Sequence, residues 1–351
     1  MEPNFRKLDT AEITVPESAE GERLDRFLHA HWPDYSRTLL AGLVRDGHVT
    51  IQGLAPTKVK PALKLETGQV IKIEKPALEE AELEAEDIPL EVLFEDDAII
   101  VINKPADLAV HPPKAGRGGT LANALLFHFK KLSRPDPIRP GIVHRLDADT
   151  SGVIVCAKDD SAHFKLAKQF EQRTVNKEYV AIVRGRMKQT TGTIDMPIGR
   201  HPDHYEMQRV HPEGKPAVTD WEVLEAFKRF TLLRLKPRSG RTHQLRVHLA
   251  AINHPIVGDR LYSRKPPLTR SEVMGTEPAP GEPPLIARQA LHAAKLEFDH
   301  PHTGERVRFE APLPEDIRRA LDALREGPRA PAREDGKDST AAAVPDAEET
   351  P

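Results

Sequence analysis

Gly141-Ile142-Val143-His144-Arg145-Leu146-Asp147-Ala148-Asp149-Thr150-Ser151-Gly152, leading into Val153-Ile154-Val155-Cys156-Ala157-Lys158, is a charged loop that feeds an apolar, β-branched run. Ser-Gly turn chemistry ahead of such a run predicts a buried strand. Asp147 sits in the loop two residues after Arg145. A carboxylate in that position can serve as a nucleophile or as a general base.

The chain has 351 residues, more than one typical domain, so two domains with polar tails are expected. Hydrophobic residues make up 38% and charged residues 30%, and no apolar run approaches the ~20 residues that a spanning helix needs. Residues 1–9 are polar and lack the apolar core of a secretory signal. Cys156 is the one cysteine, which excludes an internal disulfide and a Cys-rich zinc site. The expected location is cytoplasmic. A net charge of −3 looks wrong for a nucleic-acid binder. The acids are clustered in 79–97 and beyond 334, however, so a basic face can coexist with an acidic total.

Residues 1–15 read as a flexible leader and 16–76 as a compact unit of two helices and short strands. Leu24, Phe27 and Leu28 share a helical face, and Pro33 breaks that helix. Ser36 is expected to cap a second helix carrying Leu39, Leu40, Leu43 and Val44. The polar face of this unit gathers Arg23, Arg26, Arg37, Arg45, Lys58, Lys60 and Lys64. An acidic linker is expected over 77–97. From 98 to 326 the pattern gives a buried strand at 98–102, helices over 120–129 and 161–173, and strands near 177–183, 217–223 and 230–235. A helix over 242–252 follows, with Thr242 as its cap, then strands near 290–298 and 306–310 and a helix over 315–325. Residues 263–287, Pro-rich and apolar-poor, read as an insertion loop, and 327–351 as a disordered tail.

The stretch 141–158, Lys177-Glu178-Tyr179 and Gly240-Arg241-Thr242-His243-Gln244-Leu245-Arg246-Val247-His248 resemble, in order and spacing, the three active-site motifs of the RluA/RluD family of RNA pseudouridine synthases. Asn103-Lys104-Pro105, His111-Pro112, Lys215-Pro216-Ala217-Val218-Thr219, His254-Pro255-Ile256-Val257-Gly258-Asp259 and Gln289-Ala290-Leu291-His292-Ala293 also match. Residues 16–76 resemble an S4 RNA-binding domain in Arg23-Leu24-Asp25-Arg26-Phe27-Leu28, Ser36-Arg37, Gly47-His48-Val49 and Gly68-Gln69-Val70-Ile71. The resemblance covers residues 18 to 325. It implies an α+β fold with a mixed, mainly antiparallel central sheet flanked by helices, preceded by a small α/β RNA-binding domain. The S4-like unit points to the branch that acts on large-subunit ribosomal RNA.

Such an enzyme breaks the C1′–N1 bond of uridine, turns the uracil and joins C1′ to C5, without cofactor, metal or external water. The resemblance makes Asp147 the catalytic carboxylate, attacking C1′ or removing the 2′ proton; the two routes stay open. Arg246 is its basic partner, and a guanidinium beside a carboxylate favours the charged form and fixes its aim. Leu245 is expected beneath the uracil. Tyr179 is expected to stack on the base, with a hydroxyl that helps remove the C5 proton. A uridine in folded RNA must leave its stack, and Arg145 matches the residue that fills the vacated space. Lys104, Arg241, His243 and Arg209 are candidate phosphate contacts.

The histidines carry no metal signature: no glutamate follows His243 in HExxH fashion, and His201, His204 and His211 lack a carboxylate at ligand spacing. The expected partner is ribosomal RNA, the chain a monomer away from membranes. Two competing functions are a noncatalytic S4-containing assembly factor and an N-glycosidase. The second would want another carboxylate to position water, and Asp149 is the only one nearby.

Overall fold

The computed structural model describes residues 11–32, 37–74, 83–112, 118–134 and 139–328. The N-terminal part comprises β1 (Ala11–Thr14), α1 (Leu24–His31), α2 (Arg37–Arg45), β2 (Val49–Ile51) and β3 (Val70–Ile73), with an antiparallel sheet in the order β1-β3-β2. Leu24, Phe27 and Leu28 of α1 meet Leu40, Leu43 and Val44 of α2 over Ile51, Ile71 and Ile73 in one core. Two arginines of the expected basic face share a buried carboxylate. Arg23 Nε and Arg37 Nη2 lie 3.0 and 2.8 Å from Asp25, which ties α1 to α2. Part of the segment read as a leader is thus an edge strand, β1, because its alternating Ala11 and Ile13 pack on this core. Ser36, the expected cap, lies outside the described residues.

The larger part runs β4 (Glu91–Glu95), β5 (Ile99–Lys104), α3 (Leu121–His128), β6 (Ser151–Ala157), α4 (Asp160–Gln172), β7 (Asn176–Arg184), β8 (Thr191–Asp195), β9 (Ile198–Arg200) and β10 (Gln208–Val210). It continues through β11 (Val218–Ala226), β12 (Phe230–Pro237), α5 (Gln244–Ala251), α6 (Arg270–Met274), β13 (Leu291–Asp299), β14 (Arg306–Glu310) and α7 (Glu315–Glu326). Nine strands form one sheet in the order β4-β5-β6-β13-β7-β12-β11-β8, with β14 also on β13, and β9 and β10 make a separate hairpin. Among the described strands only the β6–β13 pair is parallel, so the fold is α+β with a mainly antiparallel sheet.

Strand periodicity explains how the centre of this sheet is buried on both faces. Ile99, Val101, Val153 and Val155 point to Ala162 and Leu166 of α4. Ile100, Ile102, Ile154 and Cys156 point to Leu121 and Leu125 of α3. Gly152, second in β6, has φ 118°, and a Cβ there would lie 2.2 Å from the Ala293 carbonyl oxygen. Glycine alone lets β6 approach β13 that closely.

Three expectations need correction. The acidic 77–97 stretch is not all linker: Glu91–Glu95 is edge strand β4, whose exposed charges suit an unpaired sheet edge. Residues 263–287 are built into the domain, since Leu268, Val273 and Ile286 are buried in the core with Ile182 and Leu233. Scattered apolar residues without periodicity among prolines left no pattern to read. α5 begins at Gln244, and no capping bond comes from Thr242; the preceding residue is His243, in a left-handed conformation. Among the described residues no helix is long and apolar enough to cross a membrane.

Candidate active site

The Asp147 loop is held from below by packing and from both sides by buried cations. Ile142 and Leu146 sink into the core beneath α3. His144 stacks on Phe170 with ring centroids 4.4 Å apart, and its Nε2 accepts the Val155 N–H at 3.1 Å. Burial pushes its pKa down to about 3, with the charge of Lys177 acting in the same direction. Beyond Asp147, two cations grip successive carbonyls: Lys104 Nζ donates to Ala148 O at 2.8 Å and Arg288 Nη1 to Asp149 O at 2.9 Å.

Lys104 corrects the sequence expectation. It is 0% exposed, and its ammonium also donates to Pro105 O and Leu108 O at 2.7 and 2.8 Å. All three donors are used, so it grips the Asp147 loop and has none left for an RNA phosphate. Burial, followed by the charge of Arg288, pushes its pKa down to about 7.

Arg246 reaches the loop from α5, 99 residues away in sequence, and its Nη1 donates to Asp147 Oδ2 at 3.0 Å. The rest of its fork is occupied by Asp259, with Nε–Oδ2 at 2.7 Å and Nη2–Oδ1 at 2.9 Å. The Asp259 side chain is fully buried and takes two further bonds from the N–H groups of Leu261 and Tyr262. The Tyr262 ring lies 5.0 Å from the guanidinium carbon. Burial alone would lower the pKa of Arg246, but the hydrogen bonds and charges of Asp259 and Asp147 together more than offset it. The turn before α5 is closed by Gln244, whose amide oxygen accepts from Ser239 Oγ and Arg241 N and whose amide nitrogen donates to Val218 O.

A small open cleft lies over this assembly. Asp147, Arg145, Tyr179, Arg241, His243, Leu245 and Arg246 all line it. Asp147 keeps 19% of its side chain exposed. Among the described residues no hydrogen bond reaches its second oxygen, Oδ1. Arg145 is exposed at the cleft, and Leu245 is buried in its wall. Arg209, on β10, is not part of the lining.

Burial raises the pKa of Tyr179, and the charge of Asp147 raises it further. Both oppose a phenolate, and the ring is part of the cleft lining. Lys177, also in the lining, was quoted in its motif without a role. Its ammonium donates to Ser239 O at 3.2 Å, and burial pushes its pKa down to about 8.

Asp259, Tyr262, Gln244 and Arg288 are the supporting residues that sequence reasoning missed. Asp259 ended a quoted motif, but nothing local marks it as the buried anchor of an arginine on another element.

A carboxylate aimed by a guanidinium, beside an aromatic ring and several cations in an open cleft, defines a site for a polyanionic ligand that presents a planar base. Comparison with known proteins narrows this. The family model described as RNA pseudouridylate synthase matches residues 98–251. The chain is 43% identical over 322 residues to ribosomal large subunit pseudouridine synthase D of Nitrosomonas europaea, covering 91% of this chain and 89% of that protein. It is 41% identical to the protein of that name from Escherichia coli K12, covering 89% and 93%. Among solved structures, human RNA pseudouridylate synthase domain containing 4 superposes with a TM-score of 0.51 at 28% identity, covering 67% of this chain and 93% of that one. The chain belongs to the RluA/RluD family of RNA pseudouridine synthases, and its activity is that of an isomerase.

Proposed function

We propose that this enzyme converts uridines of large-subunit ribosomal RNA to pseudouridine, with Asp147 as the group that acts at the ribose. The relatives named for ribosomal large subunit pseudouridine synthase D support the substrate. The observation that carries the catalytic assignment is the division of labour between the two Asp147 oxygens. Oδ2 is held by Arg246, whose own aim is set by Asp259, and this leaves Oδ1 as the oxygen that reacts at C1′ or with the 2′ proton. In the isomerisation the C1′–N1 bond breaks, C1′–C5 forms, C5 loses its proton and N1 gains one. Oδ1 attacks C1′ or takes the 2′ proton to start that sequence.

Around Asp147, Tyr179 and Leu245 provide faces against which the uracil packs. Arg145, exposed at the cleft, fills the gap left by the extruded nucleotide. The N-terminal unit, with its exposed Arg23 and Arg37 on Asp25, serves substrate capture.

The test is incubation with uridine-5-tritiated large-subunit RNA. Tritium should pass to water with the wild type. Asp147→Asn should release none while binding RNA within a fewfold of normal. Binding without release by the wild type would point instead to a noncatalytic assembly factor, and a fully active Asp147→Asn would remove the aspartate from the reaction.

A further inference from the structure

His243 lines the cleft but stands off from the ion pair. Its Nε2 lies 3.9 Å from Asp147 Oδ2, beyond hydrogen-bond reach. Its other ring nitrogen is engaged, with Nδ1 2.8 Å from the Tyr262 hydroxyl. That hydroxyl already accepts the backbone N–H of Gln208 at 2.8 Å. Its own proton remains to be given, and His243 Nδ1 is the acceptor at hand. Tyr262 is well placed to hold this arrangement, since its backbone N–H is bonded to Asp259 and its ring lies against Arg246. With Nδ1 accepting, a neutral imidazole carries its proton on Nε2. Burial lowers the pKa of His243. Asp147 and Asp259 pull it upward, while Arg246 and Arg145 add to the lowering.

The gap between Nε2–H and Oδ2 has a definite chemistry. An oxygen about 2.8–3.0 Å from each atom fits a separation of 3.9 Å. To satisfy both neighbours it must accept from Nε2–H and donate to the carboxylate. A phosphate oxygen and a uracil carbonyl oxygen can accept but not donate. A hydroxyl does both, and within an RNA chain the free ribose hydroxyl is the 2′-OH.

We propose that His243 is a substrate-contacting residue of the isomerisation: its Nε2–H, aimed by the Tyr262 hydroxyl, donates to the 2′-hydroxyl of the target uridine, which in turn donates to Asp147 Oδ2. This rests on the assignment of Asp147 as the reacting carboxylate and adds how the enzyme recognises ribose at the reacting nucleotide. His243 is thereby a ribose donor in place of the phosphate contact expected from sequence.

The experiment measures single-turnover tritium release at saturating enzyme from two short RNAs, with uridine or 2′-deoxyuridine at the target position. His243→Leu should slow the ribose substrate about 10–100-fold, leave the RNA Kd within threefold, and slow the already poor deoxy substrate little further. That non-additivity is the signature of a shared contact. His243→Gln, whose amide nitrogen can take the place of Nε2, should recover much of the rate. Equal slowing of both substrates, an unchanged rate on ribose, or a loss confined to Kd would each overturn the proposal.

Imidazole nitrogen NMR of the full-length protein gives a second readout that survives a poorly folding leucine variant. The wild type should show the Nε2–H tautomer of His243, and Tyr262→Phe should shift population to Nδ1–H. An Nδ1–H tautomer in the wild type would overturn the proposal. Absence of tritium release by the wild type from the ribose substrate would remove the underlying reading of Asp147, and the proposal with it.

Discussion

Asp259→Asn isolates the anchor of Arg246, because it removes one charge at nearly constant shape. The Asp259 carboxylate accepts four N–H groups, two from Arg246 and one each from Leu261 and Tyr262. Three of the four fall on Oδ1, so an asparagine keeps its carbonyl oxygen there and turns its NH2 toward Arg246 Nε. A donor then faces a donor inside a buried site. Breaking one side of a buried ion pair costs about 3–5 kcal/mol, a large part of the about 5–15 kcal/mol that holds a domain folded.

The consequence for the reaction is separate. An arginine released from Asp259 can turn its fork onto Asp147 and occupy Oδ1, the oxygen left for the ribose. Misplacement on that scale lowers a rate by ~100-fold. Urea unfolding measures the first effect, and single-turnover tritium release from 5-tritiated RNA at saturating enzyme measures the second. RNA affinity should hold within a fewfold, because Asp259 is buried behind the cleft. A variant of lowered stability that turns over at the wild-type rate would refute the idea that Asp259 sets the aim of Arg246.

Lys104→Met leaves Pro105 O, Leu108 O and Ala148 O without their donor, so stability should fall by about 2–4 kcal/mol, read from the urea midpoint. RNA affinity of the folded protein should be unchanged; a tenfold weaker Kd at normal stability would return Lys104 to the RNA interface. His144 sets an acid limit. Its folded pKa of about 3 lies below its ordinary 6.5, so the unfolded chain binds the extra proton first and stability drains as pH falls from 6.5 toward 3. The loss is at most about 1.4 kcal/mol per pH unit. His144→Gln, which can still accept from Val155 N–H, should lack that part of the slope; an identical slope in urea titrations would assign it to other groups.

The helical spacing of Leu24, Phe27 and Leu28 and the unbroken apolar run at 153–157 were legible because each reports a local backbone period. That period is written into neighbouring residues whatever surrounds them. The three segments that meet at the cleft were legible as well, since each carries its own run of unusual residues. The strand inside the acidic stretch, the core role of Leu268 and Ile286, and the start of α5 at Gln244 were not. Each depends on a partner far along the chain.

Charged side chains show the boundary most sharply. Lys104 and Arg241 look alike in sequence, but the first spends its ammonium on buried carbonyls and the second lines the cleft. Asp147 and Asp259 look alike too, and only one of them meets solvent. By itself, the sequence determined which residues could do the chemistry. The tertiary structure decided which of them are free to do it, because a charged group's hydrogen-bond partners depend on what buries it, and burial sums contributions from the whole chain.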